Sequence, residues 1–182
     1  MKNHILSAFR LTLVMLVIVG IYLGVVYAGS KILPTQGNAE IINYKGQKFY
    51  ANIGQNFRSL KYFHGRPSAV DYNASGSAGS NKGPSNEEYL QTVQKRIDTL
   101  KMQNPEMQNE KVPVELVTAS GSGLDPDISP EGALYQIKRI AKIRNLSAEK
   151  LEDLIKNQTE NTLFGPSKVN VLKLNIALND LK

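Results

Sequence analysis

The strongest pattern in the chain is an uncharged run from Leu11 to Ser30, LTLVMLVIVGIYLGVVYAGS, held between Arg10 and Lys31. It predicts one helix over about 11–30. A helix of ~20 residues is about 30 Å long, the thickness of a bilayer's hydrocarbon core. Backbone polar groups are satisfied within such a helix, which lipid requires. Tyr27 falls near the outgoing end, where interfacial aromatics collect. Gly20, Gly24 and Ala28 recur every four residues and share one face, where small side chains let a second helix approach closely. The rival reading is a cleaved secretory signal ending at Val26-Tyr27-Ala28, but the apolar run exceeds the usual ~7–15 residues of a signal core. Lys2 and Arg10 on the short flank place the N-terminus in the cytoplasm and the long following segment outside.

No second apolar run reaches ~18 residues, so 32–182 reads as soluble. Glu40–Tyr44 and Gln47–Ala51 flank Lys45-Gly46, a hairpin pattern. Asn52 to Ser85 is irregular, and 73–86 is mostly Gly, Ser and Asn, the composition of a flexible linker or, when ordered, of a functional loop. Ser85 and Glu88 form a capping-box pattern ahead of the apolar face Tyr89, Leu90, Val93, Ile97 and Leu100, which Asn104-Pro105 ends. Val112–Ser120 reads as a strand. Ser129-Pro130-Glu131 opens a second helix with Leu134, Ile137, Ile140 and Ala141 inward. Lys138, Arg139, Lys142 and Arg144 suit the dipole at its end, and Asn145 stops it. Ser147 opens a third, with Leu151, Leu154 and Ile155. Val169–Ile176 reads as a last strand. The fold class is α+β: a single N-terminal transmembrane helix followed by one soluble mixed α/β domain. The expected division is an anchor with its flank over 1–31 and an extracytoplasmic domain over 32–182.

Composition narrows the chemistry. With no cysteine there is no disulfide frame, thiol nucleophile or thiolate metal site. Two histidines are too few for a His-rich zinc site. Half of the net charge of +6 comes from Lys2, Arg10 and Lys31, so the body is nearly balanced and carries no basic run of the kind that binds nucleic acid. Gly76, Gly79 and Gly83 do not meet the spacing of a phosphate-cradling loop, and Gly121-Ser122-Gly123 lacks that of a nucleophile elbow. Asp125-Pro-Asp127 begins like a calcium loop, but Gln136 stands at its twelfth position, so no metal is expected. A hydrolase using His64 with Ser120 or Ser122, oriented by Asp125, is one alternative; a stand-alone anchored binding module is another.

Two loop clusters combine glycine with hydrogen-bonding side chains: 55–68 and 120–125. They contain Ile53-Gly-Gln-Asn-Phe57, Tyr62-Phe-His-Gly-Arg-Pro-Ser-Ala69 and Gly123-Leu-Asp125. Gly79-Ser-Asn81, Val112-Pro-Val-Glu-Leu-Val-Thr-Ala-Ser120, Ile140-Ala-Lys142, Arg144-Asn-Leu146, Val169-Asn-Val171 and Leu174-Asn175 complete the series. In this order, these strings resemble the C subunit of the bacterial Kdp potassium-transporting ATPase. Ala78 departs from the family's usual second glycine, Gly132 from alanine, and Lys138 from a common proline, which touches only local geometry.

The resemblance implies a non-catalytic subunit of an ATP-driven potassium importer. Its partners would be a channel-like potassium-binding subunit, a P-type ATPase subunit and a small fourth subunit, together with membrane lipid around the anchor. It also implies a catalytic-chaperone role that raises the ATPase subunit's affinity for ATP. A domain outside the membrane cannot touch cytoplasmic ATP, so that influence would have to be conformational. Gln55, Asn56, Phe57, His64, Gly65, Arg66, Ser68, Ser120, Ser122 and Asp125 are the docking or loop-ordering candidates, and Gly20, Gly24 and Ala28 the membrane-packing ones.

Overall fold

A computed structural model describes residues 2–33, 35–162 and 165–181. The chain divides into two compact units, Met1–Glu40 and Ile41–Lys182. The first is built on α1 (Lys2–Ser30), which starts well before the apolar run because nothing in 2–10 breaks a helix. Its stretch His4–Ser30 has a mean hydropathy of 2.5 and buries none of its most apolar window within the chain. At its C-terminal end the Lys31 ammonium sits 5.0 Å from the centre of the Tyr27 ring, a cation–π pair.

The second unit begins with the expected hairpin, β1 (Ile41–Tyr44) and β2 (Gln47–Tyr50), paired from Ile41↔Tyr50 to Tyr44↔Gln47. Lys45 and Gly46 both have positive φ, 49° and 79°, the backbone of a tight two-residue turn whose twist matches the strands. No helix or strand follows until α2 (Glu87–Gln103). Its cap is Asn86, not Ser85: the Asn86 carboxamide accepts from Tyr89 N at 2.9 Å, while Glu88 turns outward to Lys82 at 2.8 Å. Leu90 is exposed, and Arg96 joins Val93, Ile97 and Leu100 on the inward side.

Residues 112–120 are not a strand. Pro113 has no N–H to give a ladder, and the Val114 carbonyl accepts from Val117 N and Thr118 N, curling Val114–Leu116 into a 3-10 turn. The helix opened by Ser129 is split into α3 (Pro130–Leu134) and α4 (Ile137–Arg144), with Leu134 turned out to solvent. Asn145 ends α4 in the left-handed region, φ 53°, as expected of a helix stop. Ser147 caps α5 (Ala148–Gln158), with Leu151, Leu154 and Ile155 buried.

The second sheet orders β3 (Asp127–Ile128), β5 (Lys168–Asn170) and β4 (Thr159–Glu160), all antiparallel with β5 central. The expected strand over Val169–Ile176 survives only as β5. Asn170 then accepts from Lys173 N at 3.1 Å and caps α6 (Val171–Asp180). Val171, Leu174, Asn175 and Leu178 are the buried face of α6 at i, i+3, i+4 and i+7, a helical period that the alternation of the first residues disguised. Phe63, Ile140, Leu151, Val169, Leu174 and Leu178 are fully buried and form the centre of the core.

Candidate functional site

The irregular segment after the hairpin is held in place by side chains rather than by ladders. Its anchor is buried Phe63, followed by half-buried His64. Phe63 N donates to Asn175 Oδ1 at 2.9 Å, and Asn175 Nδ2 returns a bond to Phe63 O at 2.9 Å. His64 N donates to Gln136 Oε1 at 2.8 Å, and Gln136 Nε2 donates to His64 O at 3.1 Å. Each carboxamide thus pairs with the backbone as a neighbouring strand would, and both are almost fully buried.

Arg139 completes this seat. It is 5% exposed, not on the solvated end of α4 as a dipole-matching cation would be. Its guanidinium donates to the carbonyls of Leu60 and Tyr62, to Asn104 Oδ1 and to Gln136 Oε1. Burial lowers its pKa to about 10, leaving it charged at neutral pH. His64 has the opposite fate. Burial, with the Arg139 charge adding to it, lowers its pKa from 6.5 to about 4, so the ring is neutral, with Nε2 3.1 Å from Ser59 O. Among the described residues no hydrogen bond joins His64 to Ser120 or Ser122, and Ser120 is buried.

Beyond the seat, the two loop clusters of the sequence meet. Arg66 Nη1 and Asp125 Oδ2 are 2.9 Å apart, each side chain a little over a quarter exposed. Asp125 Oδ1 also accepts from Asp127 N at 3.1 Å, which fixes the carboxylate from behind. Gly54 N donates to Leu124 O at 2.7 Å, and Ser120 N to Pro67 O at 3.2 Å. Ser68 Oγ donates to Gly123 O at 2.6 Å and accepts from Val70 N and Tyr72 N, tying the turn after Pro67 to the 120–125 loop. The Tyr72 hydroxyl donates to Arg66 O. Ser122 Oγ accepts from Leu124 N, and Ser122 O accepts from Ser77 Oγ at 3.0 Å.

That last bond corrects the linker reading of 73–86: part of this Gly/Ser/Asn stretch lies against the 120–123 loop. Gly123 is the pivot, at φ +68°; a Cβ there would meet Val70 Cγ2 at 2.7 Å and Ala78 O at 2.8 Å. The remaining candidates are nearby. Gln55 Nε2 donates to Ile53 O at 3.2 Å, and Asn56 Nδ2 to Asp71 Oδ1 at 3.4 Å. The Phe57 and Tyr62 rings pack with centres 5.7 Å apart. Gly65 sits under the Tyr72 hydroxyl, 3.5 Å from where a Cβ would lie.

An open cleft of about 450 Å³ lies between this assembly and α2. It is lined by Asn56, Phe57, His64, Gly65 and Arg66, and also by Arg58, Lys95 and Arg96. Those last three were not singled out in the sequence, where Lys95 and Arg96 look like ordinary charges of a solvated helix face.

The model of the family described as KdpC, K+-transporting ATPase, c chain, matches residues 5–180. The chain belongs to the KdpC family. A Flavobacterium johnsoniae protein named Potassium-transporting ATPase KdpC subunit is 52% identical over the whole of both chains. Proteins of the same name from Bacteroides fragilis and Bacillus thuringiensis subsp. konkukian are 45% and 43% identical. The alignments cover 98% and 99% of this chain, respectively, and 97% of each relative. The KdpC resemblance drawn from the loop strings is therefore correct, and the strings are those that build the seat of Phe63 and the Arg66–Asp125 junction. Membership makes the chain an accessory component of a potassium-transporting ATPase rather than its catalytic one.

Proposed function

We propose that this chain is a single-pass accessory subunit of an ATP-driven potassium importer, with residues 32–182 outside the membrane. The observation that carries the reading is α1: a 27-residue stretch, His4–Ser30, with no part of its most apolar window buried by the chain itself. Exposed apolar surface on that scale is stable in lipid or against other membrane helices. A Cβ built on Gly20 or Gly24 meets no atom within 4 Å, so among the described residues no close contact accounts for these two glycines. In this reading the Gly20/Gly24/Ala28 face packs on a partner helix.

The outer body docks over the extracellular side of the channel-like, potassium-binding subunit and stabilises the assembly with the P-type ATPase subunit and the small fourth subunit. The ordered junction of 53–72 with 120–127 supports this, since a preorganised loop surface loses little entropy on binding. Any gain in ATP affinity at the ATPase subunit is then allosteric: the body biases a conformational equilibrium of the complex and makes no contact with nucleotide.

The test is protease cleavage of residues 41–182 in spheroplasts and in inside-out vesicles, with the partners co-expressed. Cleavage from outside is the expected result. Cleavage in inside-out vesicles only would overturn the topology and make direct nucleotide contact the better reading.

A further inference from the structure

The cleft beside α2 has an unbalanced lining. Arg58, Arg66, Lys95 and Arg96 face it, and among the described residues no carboxylate does. The two acids nearby are engaged: Asp71 with Arg58 at 2.8 Å, Asp125 with Arg66 at 2.9 Å. Arg96 gives one nitrogen to Val117 O at 3.1 Å, a neutral partner. Lys95 makes no ion pair among the described residues. Arg66 Nε is buried with no hydrogen-bond partner, although its guanidinium is otherwise anchored. Four cations with two counter-charges leave an excess of about two positive charges along an open cleft, a one-sided field that attracts anionic groups. Apolar surface from Phe57 and Leu100 lies in the same cleft.

We propose that this cleft is the docking site for an acidic segment of a partner subunit, a stretch carrying two or more Asp or Glu side chains beside an apolar one. The proposal rests on the accessory-subunit reading and adds the chemistry of one contact. Carboxylates match the guanidinium forks and the Lys95 ammonium. The apolar wall favours a polypeptide over a bare inorganic anion, which has nothing to set against Phe57 and Leu100. Charge complementarity of this kind fixes register and speeds assembly, and it weakens with salt.

The experiment uses the full chain co-expressed and purified with its partner subunits, and reads the salt concentration at which half of the partners are released. Lys95→Glu is expected to release them at roughly half the salt needed for wild type. Lys95→Gln falls between the two. Lys138→Glu, an exposed change elsewhere on the body, leaves the curve unchanged. Lys95 is exposed, and among the described residues its side chain makes no hydrogen bond or ion pair, so each variant keeps the wild-type unfolding midpoint. Wild-type salt curves for both Lys95 variants would overturn the proposal. So would stabilisation of the chain by inorganic phosphate without any shift in partner release, which would make the cleft a small-anion site. A chain lacking residues 41–182 separates the two ideas. If it holds partners to the same salt concentration as the full chain, the docking of the body falls as well. If it does not, and the Lys95 variants behave as wild type, the cleft proposal alone fails.

Discussion

Arg66 and Asp125, 59 positions apart in sequence, meet at 2.9 Å and join two loops that carry strings of the family resemblance. The carboxylate has two tasks: one oxygen takes the guanidinium, the other caps the turn at Asp127 N. Asp125→Asn keeps an acceptor for the turn and loses the ion pair, and should cost about 1 kcal/mol, since the pair is partly solvated. Asp125→Ala loses both and should cost about 2 kcal/mol. Urea unfolding of the detergent-purified chain separates them; equal costs would mean that the turn bond contributes nothing.

Gly123→Ala should destabilise by about 2 kcal/mol, because φ is +68° and the new methyl meets both Val70 Cγ2 and Ala78 O. Gly121→Ala, two positions away, meets nothing within 4 Å and should lie within about 0.5 kcal/mol of wild type. A matched pair of thermal unfolding curves checks the contrast.

Arg139→Met should cost about 3 kcal/mol or more, since it strands buried Asn104 Oδ1 and two backbone carbonyls and leaves Gln136 Oε1 with His64 N as its one donor. Arg139→Lys should recover little of this, because one ammonium cannot span acceptors arranged for a planar fork. A lysine variant as stable as wild type would show that charge alone holds the seat.

His64 gives a pH signature with a fixed sign. Its folded pKa, about 4, lies below its ordinary 6.5, so the unfolded chain binds the extra proton between those values. The His64 contribution is therefore intact above pH 6.5 and is lost as pH falls to about 4. The difference between wild type and His64→Gln in urea midpoint should shrink across that window and be flat above it. A constant difference from pH 7 to pH 4 would mean that the ring titrates alike in both states.

Gly24→Leu should leave the chain in the membrane fraction and the body over 41–182 folded, while reducing recovery of partner subunits severalfold. Unchanged recovery would remove the small-residue face from the account of assembly.

The hairpin and the starts of α3 and α5 were legible because local chemistry decides them: Lys45-Gly46 in a two-residue turn, and Ser129 and Ser147 as caps. Where two local signals competed, the sequence misled. Ser85 with Glu88 fits a capping box, but Asn86 is the acceptor that caps the helix, and Leu90 lies outside the buried stripe. Val169-x-Val171 alternates like a strand until Asn170 caps a helix. The short β3 and β4 carry too few residues to show a period. The candidate residues around Arg66 stood out by their strings, yet their partners in the fold are set by tertiary contact. Lys95 and Arg96 gave no signal, because only the fold shows that they overlook a recess and not open solvent.

The paired carboxamides of Asn175 and Gln136 have a consequence for how the molecule opens. They bind both faces of the Phe63–His64 stretch to α6 and to the junction of α3 and α4. A segment without helix or strand is thereby joined to the most stable layer of the fold. Its amide hydrogens at Phe63 and His64 should exchange with solvent only when that layer comes apart, on the slow timescale of whole-body opening rather than of loop fluctuation. The centre of the irregular stretch is thus expected to be as long-lived as the helices that hold it.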